Sequence, residues 1–107
     1  MNLIDANIDR LVALCKKHKV AKLFAFGSIV TDRFNKDSDI DLVVDFEAVD
    51  LYDYASNYFD LKYSLEALFN RKVDLLEEKA IKNPFFRKAI DTKKKLIYGR
   101  GTVGMAI

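Results

Sequence analysis

Ile4, Ile8, Leu11, Val12 and Cys15 recur at steps of three and four residues, the spacing that lines one face of a helix. They predict a helix over residues 3–18, with Asn2 placed to cap its start. Residues 21–26 form an apolar run closed by Gly27, which reads as a buried strand. Residues 39–46 alternate instead: Ile40, Leu42, Val44 and Phe46 point one way, Asp39, Asp41, Val43 and Asp45 the other. Helical spacing returns over residues 51–69 in Leu51, Ala55, Tyr58, Leu61, Leu65 and Leu68, with Asp50 as N-cap. A third strand is predicted over residues 71–76, and Asn83-Pro84 opens a short helix through Asp91. Residues 1–98 read as one domain and residues 99–107 as a tail. The alternation of strands and helices gives an α/β (α+β) class, a small mixed sheet flanked by helices.

Composition narrows the classes. The chain has 107 residues, is 50% hydrophobic and 32% charged, which fits one globular core and excludes a multi-domain enzyme or a disordered chain. No apolar run approaches the about 20 residues of a membrane span. Asp5, Asp9 and Arg10 interrupt the N-terminal apolar residues where a secretory signal would be unbroken, so the expected place is the cytoplasm. One Cys forms no internal disulfide and, with one His, no Cys/His zinc site; any metal would have oxygen ligands. Cys15 reads as a buried thiol and His18 as a surface imidazole. The net charge of +2 hides a segregation, since residues 32–60 hold nine acids against two bases and residues 71–100 ten bases against four acids. An acidic middle facing a basic final third is compatible with a cation site beside an anion surface, and equally with solvated faces.

Two motifs remain. Gly99, Gly101 and Gly104 match G-x-G-x-x-G, but no helix follows to receive a pyrophosphate and no acid stands about 20 positions on, so the match carries no chemistry. Gly27-Ser28, ten residues and then Asp39-Ile40-Asp41 is rarer, expected by chance in about one chain in a thousand at ordinary residue abundances. Asp39 and Asp41, two apart on a strand, project from one face roughly 7 Å apart along the backbone. Their charges repel unless a cation joins them, and hard oxygen ligands in a small site suit Mg²⁺ or Mn²⁺ shared with substrate phosphates. Gly27 lets a phosphate approach the backbone, and Ser28 adds a hydroxyl and an amide at the start of a short helix. Asp74, flanked by apolar residues on the third strand, is a third carboxylate.

With these residues in place the chain resembles the nucleotidyltransferase superfamily related to DNA polymerase beta. Phe26-Gly27-Ser28 and Ser38-Asp39-Ile40-Asp41-Leu42 are most similar to the minimal bacterial members, small single domains often paired with a HEPN toxin. The resemblance spans residues 8–98. It implies the nucleotidyltransferase fold, with Gly27 and Ser28 binding the triphosphate and Asp39, Asp41 and Asp74 holding Mg²⁺ or Mn²⁺. It also implies transfer of a nucleoside monophosphate from an NTP, with ATP the expected donor, to a hydroxyl on a protein partner. Many relatives follow Gly-Ser with arginine, alanine, arginine and glycine; this chain has Ile29-Val30-Thr31-Asp32-Arg33, and Arg33 is expected to compensate.

Two other readings stand beside the enzyme. One is a nucleotidyltransferase-fold binding module that masks a partner protein, with weak or no catalysis. The other, ranked lowest, is a nucleic-acid-associated domain using Lys93-Lys94-Lys95. A chain this short leaves no room for an acceptor-binding domain, so the acceptor site is expected from another chain; the expected partner is a HEPN-type protein, and a homo-oligomer is a separate option.

Overall fold

The first expected helix is two. The computed structural model describes residues 2–99, without the side chain of Asn2, so the capping expected of Asn2 and the tail over residues 100–107 lie outside the described residues. Helix α1 covers Asn2–Ala6 and α2 covers Ile8–Lys17. Asn7 separates them: its amide N–H donates to the Ile4 carbonyl at 3.1 Å and its side-chain Nδ2 to the Leu3 carbonyl at 2.9 Å, while its own carbonyl accepts from Leu11. An asparagine side chain competing for backbone groups breaks a helix whose apolar stripe continues unbroken.

Strand β1 (Val20–Phe26) leads into a single 3-10 turn at Gly27–Val30, and a loop joins this to β2 (Ile40–Phe46). Helix α3 (Leu51–Phe69) starts where Asp50 accepts from the Tyr52 N–H and ends at Asn70, in the left-handed conformation at φ 54°. Strand β3 (Val73–Glu77) follows, then a short 3-10 turn at Glu78–Ala80. Helix α4 (Pro84–Lys93) opens as expected, with Asn83 accepting from the N–H groups of Phe85 and Phe86 and proline in the first turn. Strand β4 (Lys95–Gly99) was not expected. It is five residues long, lies at an edge, and begins inside a lysine run that masks its pattern.

The sheet order is β3-β2-β1-β4. β1 pairs antiparallel with both β2 and β4, whereas β2 and β3 are parallel, the crossover being made by α3. The mixed sheet flanked by helices is therefore the architecture expected. Ile40, Leu42, Val44 and Phe46 face a core shared with Leu11 and Cys15 of α2 and Leu61, Leu65 and Phe69 of α3. Burial pushes the Cys15 thiol up to about 12, which makes it inert packing. His18 departs from expectation: it is buried, its Nδ1 donates to the Leu14 carbonyl, and its own carbonyl accepts from Asn57 of α3. A helix laid across the end of α2 covers it, which the local sequence does not announce.

The other face of the sheet is covered too. Val43 is 1% exposed although it shares a side with Asp41 and Asp45. Lys94, the C-cap of α4, lies 4.3 Å over the ring of Phe24, the β1 partner of Val43, so the end of α4 reaches this second face. α4 buries Ile90, and the ends of β2 and β3 that carry Asp41 and Asp74 are left accessible.

Candidate functional site

Parallel pairing sets the geometry of the carboxylates. Asp41 on β2 stands opposite Asp74 on β3, and Asp41 is also the antiparallel partner of Phe26, the last residue of β1. Partners on adjacent strands share a face. Asp74 is exposed on the edge strand, Asp41 is half-buried, and Asp39 is exposed immediately before β2 begins.

The electrostatics follow from that crowding. The Asp41 carboxyl is pushed up to about 6, first by burial, then by its hydrogen bond to Asp74 and by the charges of Asp74 and Asp39. Asp41 and Asp74 thus form a contacting pair, and Asp39 acts on Asp41 as a nearby like charge. Among the described residues no three acidic, Cys or His side chains are gathered closely enough to hold a metal ion as they stand.

Gly27 is fixed by this arrangement more tightly than a phosphate-facing role alone demands. Its φ is +72°, and a Cβ there would come within 2.3 Å of Asp41 Oδ2. The carboxylate occupies the space a side chain would need, so glycine is required on both conformational and steric grounds. The 3-10 turn starting at Gly27 follows directly on Phe26, the partner of Asp41 at the start of β2, and the Ser28 carbonyl accepts from both the N–H and the Oγ1 of Thr31.

The departure at positions 29 and 31 has a structural content. Ile29 is 3% exposed within the main core, where a guanidinium would be desolvated without a partner. Thr31 Oγ1 both donates to the Ser28 carbonyl and accepts from the Arg33 N–H, so it ties the turn together. Arg33 itself is exposed and engaged through its backbone.

Sequence reading missed a second group around the loop. Arg71 Nη1 donates to the carbonyls of Asn35 at 3.0 Å and Ser38 at 2.8 Å, and its guanidinium lies 4.7 Å over the Phe34 ring. The acidic edge of the main core also holds Tyr54, which donates to Glu77, and Tyr58, which donates to the Leu75 carbonyl. Burial, with Glu77 as acceptor, pushes Tyr54 up to about 12. Tyr54 and Tyr58 pack against the core, whereas Tyr52 and Tyr63 on the same helix are exposed.

Known proteins resemble this chain in sequence and in fold. Residues 10–98 match the sequence profile of the nucleotidyltransferase domain family. The chain is 38% identical over 82 residues to the candidate protein adenylyltransferase MJ1379 of Methanocaldococcus jannaschii, covering 77% of this chain and 79% of that one. It superposes on a candidate minimal nucleotidyltransferase with a TM-score of 0.71 at 27% identity, over 86% of this chain and 90% of that one. A chain from the tri-AMPylated HEPN toxin of Shewanella oneidensis in complex with MNT antitoxin shares the fold. There the TM-score is 0.63 at 18% identity, over 95% of this chain and 77% of that one.

Proposed function

The chain belongs to the nucleotidyltransferase domain family, and from that premise we propose that it transfers AMP from ATP to a hydroxyl on a partner protein of HEPN type. The observation that carries the reading is the pairing of Asp41 with Asp74 against Gly27, with Asp39 two residues away. The donor set fits a divalent cation. Asp41 and Asp74 are in contact and Asp39 stands nearby, all hard oxygen donors, and burial first, then the hydrogen bond to Asp74 and the like charges of Asp74 and Asp39, raise the Asp41 carboxyl. Asp39, Asp41 and Asp74 would hold Mg²⁺ or Mn²⁺, which when bound offsets charge on the phosphates and on the attacking oxygen.

The chain's own residues do the rest. Gly27 and Ser28 receive the triphosphate at a turn where backbone can approach closely, and Arg33 supplies a cation from the adjacent loop. The acceptor oxygen forms a bond to the α-phosphorus as the bond to the bridging oxygen breaks and pyrophosphate leaves. The acceptor's proton passes to Asp74, the more exposed member of the carboxylate pair. The named relative and the structural neighbour support AMP as the group and a protein as the acceptor.

The test is calorimetric titration of ATP with Mg²⁺ into the wild type and into the Asp39→Ala, Asp41→Ala double variant, followed by intact mass of a HEPN-type partner. Metal-dependent binding lost in the double variant, with addition of AMP to the partner, is the expected result. Binding without modification of any partner selects the second reading, a masking module, which the buried Ile29 at an expected arginine position favours.

A further inference from the structure

Arg71 sits outside the carboxylate site, yet its contacts all run toward the loop that delivers it. It is presented by a fixed turn: Asn70 in the left-handed conformation ends α3, the N–H groups of Asn70 and Arg71 both donate to the Glu66 carbonyl, and Glu66 Oε2 accepts from Val73. From there Arg71 Nη1 reaches the Asn35 and Ser38 carbonyls, 36 and 33 residues earlier in the chain. Nε is buried without a partner, and among the described residues Arg71 makes no ion pair with a carboxylate. A guanidinium held in this way, with its face on Phe34, is used to hold backbone in place and not to neutralise an acid.

What it holds matters. Ser38 immediately precedes Asp39, and Ile40 begins β2 by donating to the Lys72 carbonyl, next to Arg71. Phe34 packs against the core, and the loop's other hydrogen bonds are internal: the Asn35 N–H donates to Ser38 Oγ, Ser38 N–H to the Asn35 carbonyl, and Asp37 N–H to Asn35 Oδ1. Those bonds give the loop a shape but no fixed position relative to Asp74. Arg71 and the Ile40 to Lys72 bond are what connect it to β3.

We propose that Arg71 is a positioning residue, clamping residues 34–38 to the start of β3 and so fixing Asp39 relative to the Asp41–Asp74 pair. The proposal rests on the reading of Asp39 as a ligand of the metal-bound nucleotide. Precise placement is where a residue remote from the chemistry acts, since a displacement of about 1 Å can cost on the order of a hundredfold in rate.

The experiment compares wild type, Arg71→Lys and Arg71→Ala by amide hydrogen exchange and by titration with ATP and Mg²⁺. The expected result for Arg71→Ala is exchange about tenfold faster across residues 34–39, with β1 and α3 unchanged. ATP–Mg²⁺ binding is expected to weaken about tenfold, and Arg71→Lys, which keeps the charge on a shorter reach, to fall between. Loop exchange unchanged in Arg71→Ala overturns the clamp. Faster loop exchange with affinity within about twofold of wild type overturns the link to Asp39. Exchange rising everywhere together marks a general loss of fold, in which case Arg71→Lys decides: local acceleration in that variant supports the clamp, and none overturns it. A wild type that binds no nucleotide defeats the function proposed above and with it the link to Asp39, while loop exchange still decides the clamp.

Discussion

Asp41 joins the local chemistry to the stability of the protein. Its carboxyl titrates near 6 when folded and near 3.8 when unfolded, so between these values the folded state binds more protons. Through this group stability falls as pH rises across that window, the reverse of a salt-bridged aspartate. Under the proposed function nucleotide binding has the opposite sign, because a cation held there would need the deprotonated carboxylate. ATP–Mg²⁺ affinity is therefore expected to drop as pH falls below about 6, with protons released on binding below that pH, measurable by calorimetry in buffers of different ionisation enthalpy. Asp41→Asn should raise the thermal midpoint at pH 7, by about 0.5–2 kcal/mol of stability, and abolish metal-dependent binding, the trade expected of a strained site. Gly27→Ala should do the reverse on stability. Left-handed backbone costs an alanine about 1–3 kcal/mol, and its Cβ would displace the Asp41 carboxylate, so midpoint and nucleotide affinity should fall together.

At the scale of elements, what was legible depended on how local the cause was. Asp50 and Asn83 cap their helices as their positions predict, because a cap is a contact between residues two or three apart. Asn83→Ala should cost about 1 kcal/mol in chemical denaturation with nucleotide binding unchanged. β2 showed its two faces in the alternation of Ile40 to Phe46, and the short helix expected from Ser28 is a single 3-10 turn over Gly27–Val30. The break at Asn7 was missed because the apolar stripe runs through it and the competing bonds come from one amide side chain. β4 was missed because an edge strand needs neither length nor a continuous apolar face; its pairing partner β1 supplies the order. Arg71 was invisible for the same reason, since its two acceptors lie more than thirty residues away.

For the whole molecule, the charge segregation resolves into particular uses. Part of the acidic middle gathers at one end of the sheet as Asp39, Asp41 and, from the later strand, Asp74. Part of the basic final third is spent internally: Arg87 pairs with Glu78 and Asp91, and Lys94 pairs with Asp91 and lies over Phe24. A cation binding only the folded protein shifts its stability by mass action, about 2.7 kcal/mol at a hundred times the dissociation constant. Mg²⁺ with ATP should therefore raise the thermal midpoint with concentration in the wild type. In Asp39→Ala the midpoint should stay flat, a comparison scanning fluorimetry makes directly.

The sequence by itself determined the helices and strands whose apolar periodicity is strong and the caps at Asp50 and Asn83, and it singled out Gly27, Ser28, Asp39, Asp41 and Asp74 as candidates, because spacing along one strand fixes which of its side chains share a face. Only the tertiary structure decided that Asp74 stands opposite Asp41, that Asp41 fills the space beside Gly27, that His18 is buried, and that Arg71 reaches across to the loop before Asp39. Each of these depends on the register between strands or on a helix packed from elsewhere, and neither is written in the residues that it joins.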